Sequence, residues 1–180
     1  MKIISLTILL GFLISGTTVC AQKAHTYEEY GHTLNLGVGI GGYYGYYHYV
    51  GHSLPVFSIN YEFDAARNFT LAPFATFYSY RNDNKHYQES IIPVGVKGTL
   101  YLDKILRASP DWDFYLAGSL GFVIRNVSWD SGYYGDKYIY HDASPLFLDL
   151  HIGTEYHLNK RLGLFLDLST GVSTIGLAFH

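Results

Sequence analysis

The run from Ser144 to Leu158, Ser-Pro-Leu-Phe-Leu-Asp-Leu-His-Ile-Gly-Thr-Glu-Tyr-His-Leu, alternates for longer than most strands last. Its even positions carry Leu146, Leu148, Leu150, Ile152, Tyr156 and Leu158, broken only by Thr154. Its odd positions include Asp149, His151, Gly153, Glu155 and His157. A period of two puts these sets on opposite faces of one β-strand. Strands of soluble domains usually run about 5 to 6 residues, whereas a tilted membrane-spanning strand needs about 9 to 11. The length of the run therefore points to a membrane.

The rest of the chain repeats the pattern. Residues 34–41 alternate large apolar with small, and 54–63 set Phe57, Ile59, Tyr61 and Phe63 against Ser58, Asn60 and Glu62. Residues 69–80 leave two phases open: Phe69, Leu71 and Phe77 support one, and Phe74, Tyr78 and Tyr80 the other. Residues 90–102 and 113–124 return to clean alternation. With the opening stretch and a final hairpin, the expected count is eight strands. Gly171 at the first central position of Gly171-Val172 predicts a type II′ turn with positive φ. That register pairs Leu168 with Ile175, Leu166 with Leu177, and Phe165 with Ala178.

Connections after the first, third and fifth strands (43–53, 81–88 and 125–143) read as long and polar, and those at 64–68 and 159–161 as short turns. Pro110 is expected to close any helical turn that reaches Leu106. Pro73 and Pro93 each remove a ladder donor and predict bulges. An even strand count puts both ends of the barrel domain on one side, the periplasm, with the longer connections outside.

The first 21 residues read as a secretory leader: Lys2, an apolar run from Ile3 to Ile14, and Val19-Cys20-Ala21 before a cut at Gln22. Cys20 as the acylated cysteine of a lipoprotein signal is the weaker alternative, because Thr17-Thr18-Val19 fits that signal poorly. A cut after Ala21 leaves residues 22–180 without cysteine, so neither a disulfide framework nor thiol chemistry is expected. Loss of Lys2 leaves 11 basic against 15 acidic residues, a net charge of −4, which gives nucleic acid no footprint.

With the leader, eight alternating strands and near-terminal Leu177-Ala178-Phe179 in view, the chain resembles the small eight-stranded outer-membrane barrels of the OmpA/OmpX type. The resemblance covers nearly all of Leu34 to His180 and rests on pattern. It implies an all-β, antiparallel, up-and-down transmembrane barrel in a bacterial outer membrane. It further implies assembly by the barrel-assembly machinery, which recognises a terminal aromatic, here Phe179 followed by His180. Lipid is the surrounding partner, and a monomer is expected.

Several residue groups bear on function. Gly37-Val38-Gly39-Ile40-Gly41-Gly42 matches the dinucleotide fingerprint, but no helical stripe follows it. His48, His52, His86 and His141 share one set of connections and could in principle converge on a metal, although loop histidines are more often solvated. No metal or cofactor is expected. Glu62, Lys97, Asp149, His151, Glu155 and Asp167 form the polar face, and in an eight-stranded barrel such side chains fill the interior. They are expected to make a structural hydrogen-bonded network.

Tyrosines at 43, 44, 46, 47 and 49, and at 133, 134, 138 and 140, serve as a membrane girdle or as contacts for extracellular protein or glycan. The leading expectation is a non-catalytic scaffold with no open pore. A lipid-modifying barrel enzyme is the second reading. A secreted lipocalin-like barrel, with its greasy face turned inward, is the third.

Overall fold

A computed structural model describes residues 30–41, 54–82, 86–135 and 145–180. The expected leader, Tyr43 to Tyr49, Tyr138, Tyr140, His48, His52 and His141 lie outside these residues. Eight strands close into one antiparallel barrel in chain order: β1 Thr33–Gly41, β2 Leu54–Ala66, β3 Phe69–Asn82, β4 Tyr87–Tyr101, β5 Trp112–Trp129, β6 Leu146–Asn159, β7 Leu162–Ser169 and β8 Val172–Phe179. One short helix, α1 Asp103–Leu106, sits between β4 and β5. Pairing of Leu34 with Phe179 and of Leu36 with Leu177 closes β1 onto β8. Tyr30 and His180 therefore share one end, called here the terminal end.

The faces follow the alternation. Val38, Phe57, Phe77, Val96, Leu120, Leu150, Leu166 and Ile175, one from each strand in turn, are all exposed on the outside. The apolar belt is thus unbroken around the wall. Both phases of β3 are real: Leu71 and Phe77 point outward, while Phe74, Tyr78 and Tyr80 point in. The inner face is itself partly aromatic, so hydropathy alone could not separate them. Inside, Val56, Tyr78, Ile91, Phe147 and Val172 form an apolar plug toward the far end. Tyr30, Tyr101, Tyr115 and Ala117 form a second cluster nearer the terminal end.

Several expectations need correction. The last hairpin pairs Leu166 with Ile175, Leu164 with Leu177 and Phe165 with Gly176, two residues away from the expected register. Its turn is Thr170-Gly171, and Gly171 is not among the positive-φ glycines. A slip of two keeps every side chain on its own face, so alternation cannot detect it.

The prolines cause no register shift. Pro73 pairs with Val96, and Pro93 with Val123. In an antiparallel ladder a residue's N–H and C=O both face one neighbour. Each proline accordingly interrupts bonding on one side only, next to β2 for Pro73 and next to β3 for Pro93. The shifts occur instead at Asp64/Ala66 and His157/Asn159, beside the tight turns.

Arg107, in the left-handed conformation at φ 53°, ends α1 before Pro110 is reached. The connection from β3 to β4 is shorter than expected, residues 83–86, because both strands extend into the polar segment. β5 also runs on to Trp129, into the stretch read as a loop.

Extension of β3, β4 and β5 has a shape consequence. β5 pairs with β6 only as far as Phe122–Leu146, yet pairs with β4 out to Trp129–Tyr87. Among the described residues, these three strands extend furthest at the far rim, as a ledge.

Candidate functional site

The barrel wall turns every residue of the polar face inward, and three of them, Lys97, His151 and Asp167, meet in one column. Lys97 from β4 and Asp167 from β7 meet across the lumen, Nζ to Oδ2 at 2.5 Å, and both are buried. Asp167 Oδ1 holds His151 Nδ1 at 2.7 Å, and His151 Nε2 lies 2.9 Å from Ser119 Oγ. The Tyr115 hydroxyl donates to Asp167 at 3.2 Å. Tyr115 can lie inward because its cross-strand partner is Gly153, where a β-carbon would sit 2.1 Å from the phenol ring.

Glu62 makes a separate knot nearer the terminal end. It accepts from Asn35 Nδ2 at 2.9 Å, Thr70 Oγ1 at 2.5 Å and the Tyr101 hydroxyl at 2.9 Å. Tyr30 stacks over Tyr101 at 4.0 Å between centroids.

Asp149 borders this column, 3.8 Å from His151 Nε2, but makes its hydrogen bonds elsewhere. Its carboxylate accepts from the Ser169 and Thr170 hydroxyls and from the backbone N–H groups of Gly171 and Val172, at 2.7–3.1 Å. It is the cap of the β7–β8 turn, a role that strand alternation does not reveal.

Glu155 completes the set at the terminal mouth. Its Oε1 lies 2.7 Å from His180 Nε2 and 3.7 Å from His157 Nδ1, while His157 Nε2 lies 2.8 Å from Asp113 Oδ2. The hydrogen bond to Glu155 holds His180 above the usual imidazole range, against the opposing effect of burial. Sequence reasoning placed Glu155 in the network but passed over Asp113, His157 and His180. β5–β6 pairing brings Asp113 to His157, and the curve of the sheet through β7 and β8 brings His180 to them.

Ser119, His151 and Asp167 stand in the order of a hydrolytic triad, and chemistry follows such geometry whatever the fold. The surroundings do not complete it. Asp167 is shared with Lys97 and Tyr115. The adjoining cavity, lined by Ser58, Asn60, Thr76, Lys97, Ser119 and His151, has a volume of about 40 Å³. Ligand pockets run to roughly 300 Å³ or more. Water fits this cavity, but an acyl chain does not.

Gly37 to Gly41 of the glycine fingerprint lie within strand β1, with Gly37 facing the lumen where a β-carbon would meet Ser58 Oγ at 2.6 Å, and Gly42 lies outside the described residues. Gly37 makes room for side chains inside the barrel. Of the loop histidines, His86 is described. It lies 3.6 Å from Asp130, whose carboxylate also takes Arg81 at 3.1 Å.

No protein-family model matches the chain, and no curated protein sequence does either. Among solved structures it is similar to Neisserial surface protein A (NspA), with a TM-score of 0.51 and 15% identity over 82% of this chain and 94% of that one. It is also similar to a barrel from the de novo design of transmembrane β-barrels, with a TM-score of 0.50 and 14% identity over 84% of this chain and 98% of that one. At such identity the likeness is one of fold: a closed, all-antiparallel, eight-stranded barrel.

Proposed function

We propose that the chain is an outer-membrane barrel of the OmpA/OmpX kind, a closed, non-catalytic scaffold that displays its far-end ledge and loops outside the cell. The observation that carries this reading is the unbroken apolar belt around a polar lumen. Contiguous exposed apolar surface on that scale is rare on soluble monomers, and lipid gives it a solvent. A lipocalin-like barrel would need the opposite orientation, greasy inside and polar outside.

Two further features support membrane embedding. Tyr61, Phe63, Trp112, Tyr156 and Phe179 are exposed on the outer wall near the terminal end, where an aromatic girdle belongs. Within the span, closure also leaves no free sheet edge, so the backbone's polar groups there need no water.

The interaction role rests on the ledge. Tyr133 stacks on Trp129 at 5.5 Å, and Tyr134 is 97% exposed. Such amphipathic rings offer contact area to extracellular protein or glycan. The acyl-transfer reading has the order Ser119–His151–Asp167 in its favour and the small cavity against it.

Cell fractionation tests the proposal. The protein should stay in outer-membrane pellets through a carbonate or urea wash and migrate faster unboiled than boiled. Recovery in the periplasm or medium would remove it.

A further inference from the structure

The terminal mouth holds a cluster that the scaffold reading does not use. Glu155 and His157 come from β6, Asp113 from β5, and His180 follows β8. One donor atom from each of Glu155, His157 and His180 can be chosen so that all lie within 4.8 Å of one another. Beside them lies a depression of about 410 Å³, bordered by Tyr30, Asp111, Asp113, His157, Asn159 and His180. Water and small ions can reach it from the terminal end.

Hydrogen bonding assigns the ring nitrogens. His157 Nε2 faces the Asp113 carboxylate at 2.8 Å, and an ionised carboxylate only accepts, so Nε2 carries the proton. His157 Nδ1 is then the lone-pair nitrogen, and it is the one that faces Glu155 Oε1. The Thr33 hydroxyl donates to the Tyr30 carbonyl at 3.0 Å, so it accepts from His180 Nδ1 at 2.9 Å. That leaves His180 Nε2 toward the same Glu155 oxygen, at 2.7 Å. Two imidazole nitrogens and a carboxylate oxygen thus converge, and each ring is fixed from behind by a partner on its other nitrogen. A carboxylate–histidine–metal relay has this arrangement. Converging lone pairs also require a positive charge between them, either a proton or a metal ion.

We propose that Glu155, His157 and His180 bind a divalent transition-metal ion, zinc in the first instance, with Asp113 and Thr33 as positioning residues. Two imidazoles and one carboxylate suit zinc, copper or nickel better than calcium or magnesium, which take mainly oxygen ligands. Three protein ligands leave a fourth position open to water from the mouth. The ion would tie β6 to the end of β8, beside the β1–β8 seam that closes the barrel.

The test uses the whole protein folded in detergent, and zinc itself as the probe. Calorimetry should show one zinc per chain, with binding unaffected by millimolar magnesium or calcium. His157→Ala and His180→Ala should each weaken binding at least tenfold. Asp113→Asn, which removes no ligand, should weaken it by roughly 10- to 100-fold, and His86→Ala should change nothing. Variants are compared only when their unboiled gel mobility shows a closed barrel. A readout on the unaltered protein covers the case in which they fail to fold. Zinc should protect His157 and His180 from diethyl pyrocarbonate, measured by mass spectrometry, and leave His32 and His86 reactive. Absence of one-to-one binding, protection at other histidines, or equal binding by a folded His157→Ala variant would overturn the proposal.

Discussion

The Asp149 carboxylate reaches the β7–β8 turn and accepts the backbone N–H of Gly171 at 2.8 Å, and an added β-carbon on Gly171 would lie 3.1 Å from that carboxylate. Gly171 therefore favours close approach of the carboxylate, and left-handed backbone plays no part. Hydrogen bonds to a charged group are worth about 1.5–3 kcal/mol each. Asp149→Ala should lower stability in lipid vesicles by at least about 2 kcal/mol, and Asp149→Asn by less. Gly171→Val should damage folding more than Ser173→Val. Unfolding curves for the four variants check this, and an unchanged Asp149→Ala midpoint would remove the turn-capping role.

That contact also marks the limit of what was legible beforehand. Alternation along β6 and β7 reveals which side chains share a face, because period two is a local property. Register is different: moving β8 by two residues keeps Phe165 opposite a small residue, Gly176 in place of Ala178. Part of the choice lies with Asp149, more than 20 residues upstream and on another strand. Glu155 and His157 share a face of β6, but their meeting with His180 depends on how β7 and β8 are brought round. The inward phase of β3 was obscured because Phe74 and Tyr78 fill the lumen with the same chemistry that coats the outside.

The Lys97–Asp167 pair predicts a rescue. Removing one partner of a buried ion pair costs about 3–5 kcal/mol, because the other charge is left uncompensated. Lys97→Met should show a penalty of that order, and adding Asp167→Asn should recover a substantial part of it. Additive losses in a double-mutant cycle would mean that the two side chains do not interact in the folded state.

The cavity beside Ser119 predicts chemical silence. A fluorophosphonate probe should not label Ser119, and Ser119→Ala should leave lipid A composition unchanged. Labelling that disappears in His151→Ala would restore the acyl-transfer reading.

Closure of the lumen can be read electrically. Phe165, Tyr115, Tyr101 and Lys97 are all buried inside the wall, and eight strands leave space only for side chains. Planar bilayers should show no large, stable conductance, whereas steady porin-sized steps would require a different interior.

Orientation is open to labelling. Ser131 lies just beyond the ledge, and Lys160 lies in the β6–β7 turn at the terminal end. With the ledge outside the cell, Ser131→Cys should react with an impermeant maleimide on intact cells, and Lys160→Cys only after the outer membrane is opened. The reverse pattern would invert the barrel.

Depth dependence of a buried charge tests the lipid-facing belt most directly. Leu166 is exposed on the outer wall, paired with Ile175 and Thr154 within the span, and Leu162 starts β7 at the terminal rim. Arg on the lipid face costs about 2–4 kcal/mol at the bilayer midplane and about 0–1 near an interface. Equilibrium unfolding in vesicles should therefore show Leu166→Arg losing several times more stability than Leu162→Arg. Equal penalties, or a larger one at Leu162, would contradict the account.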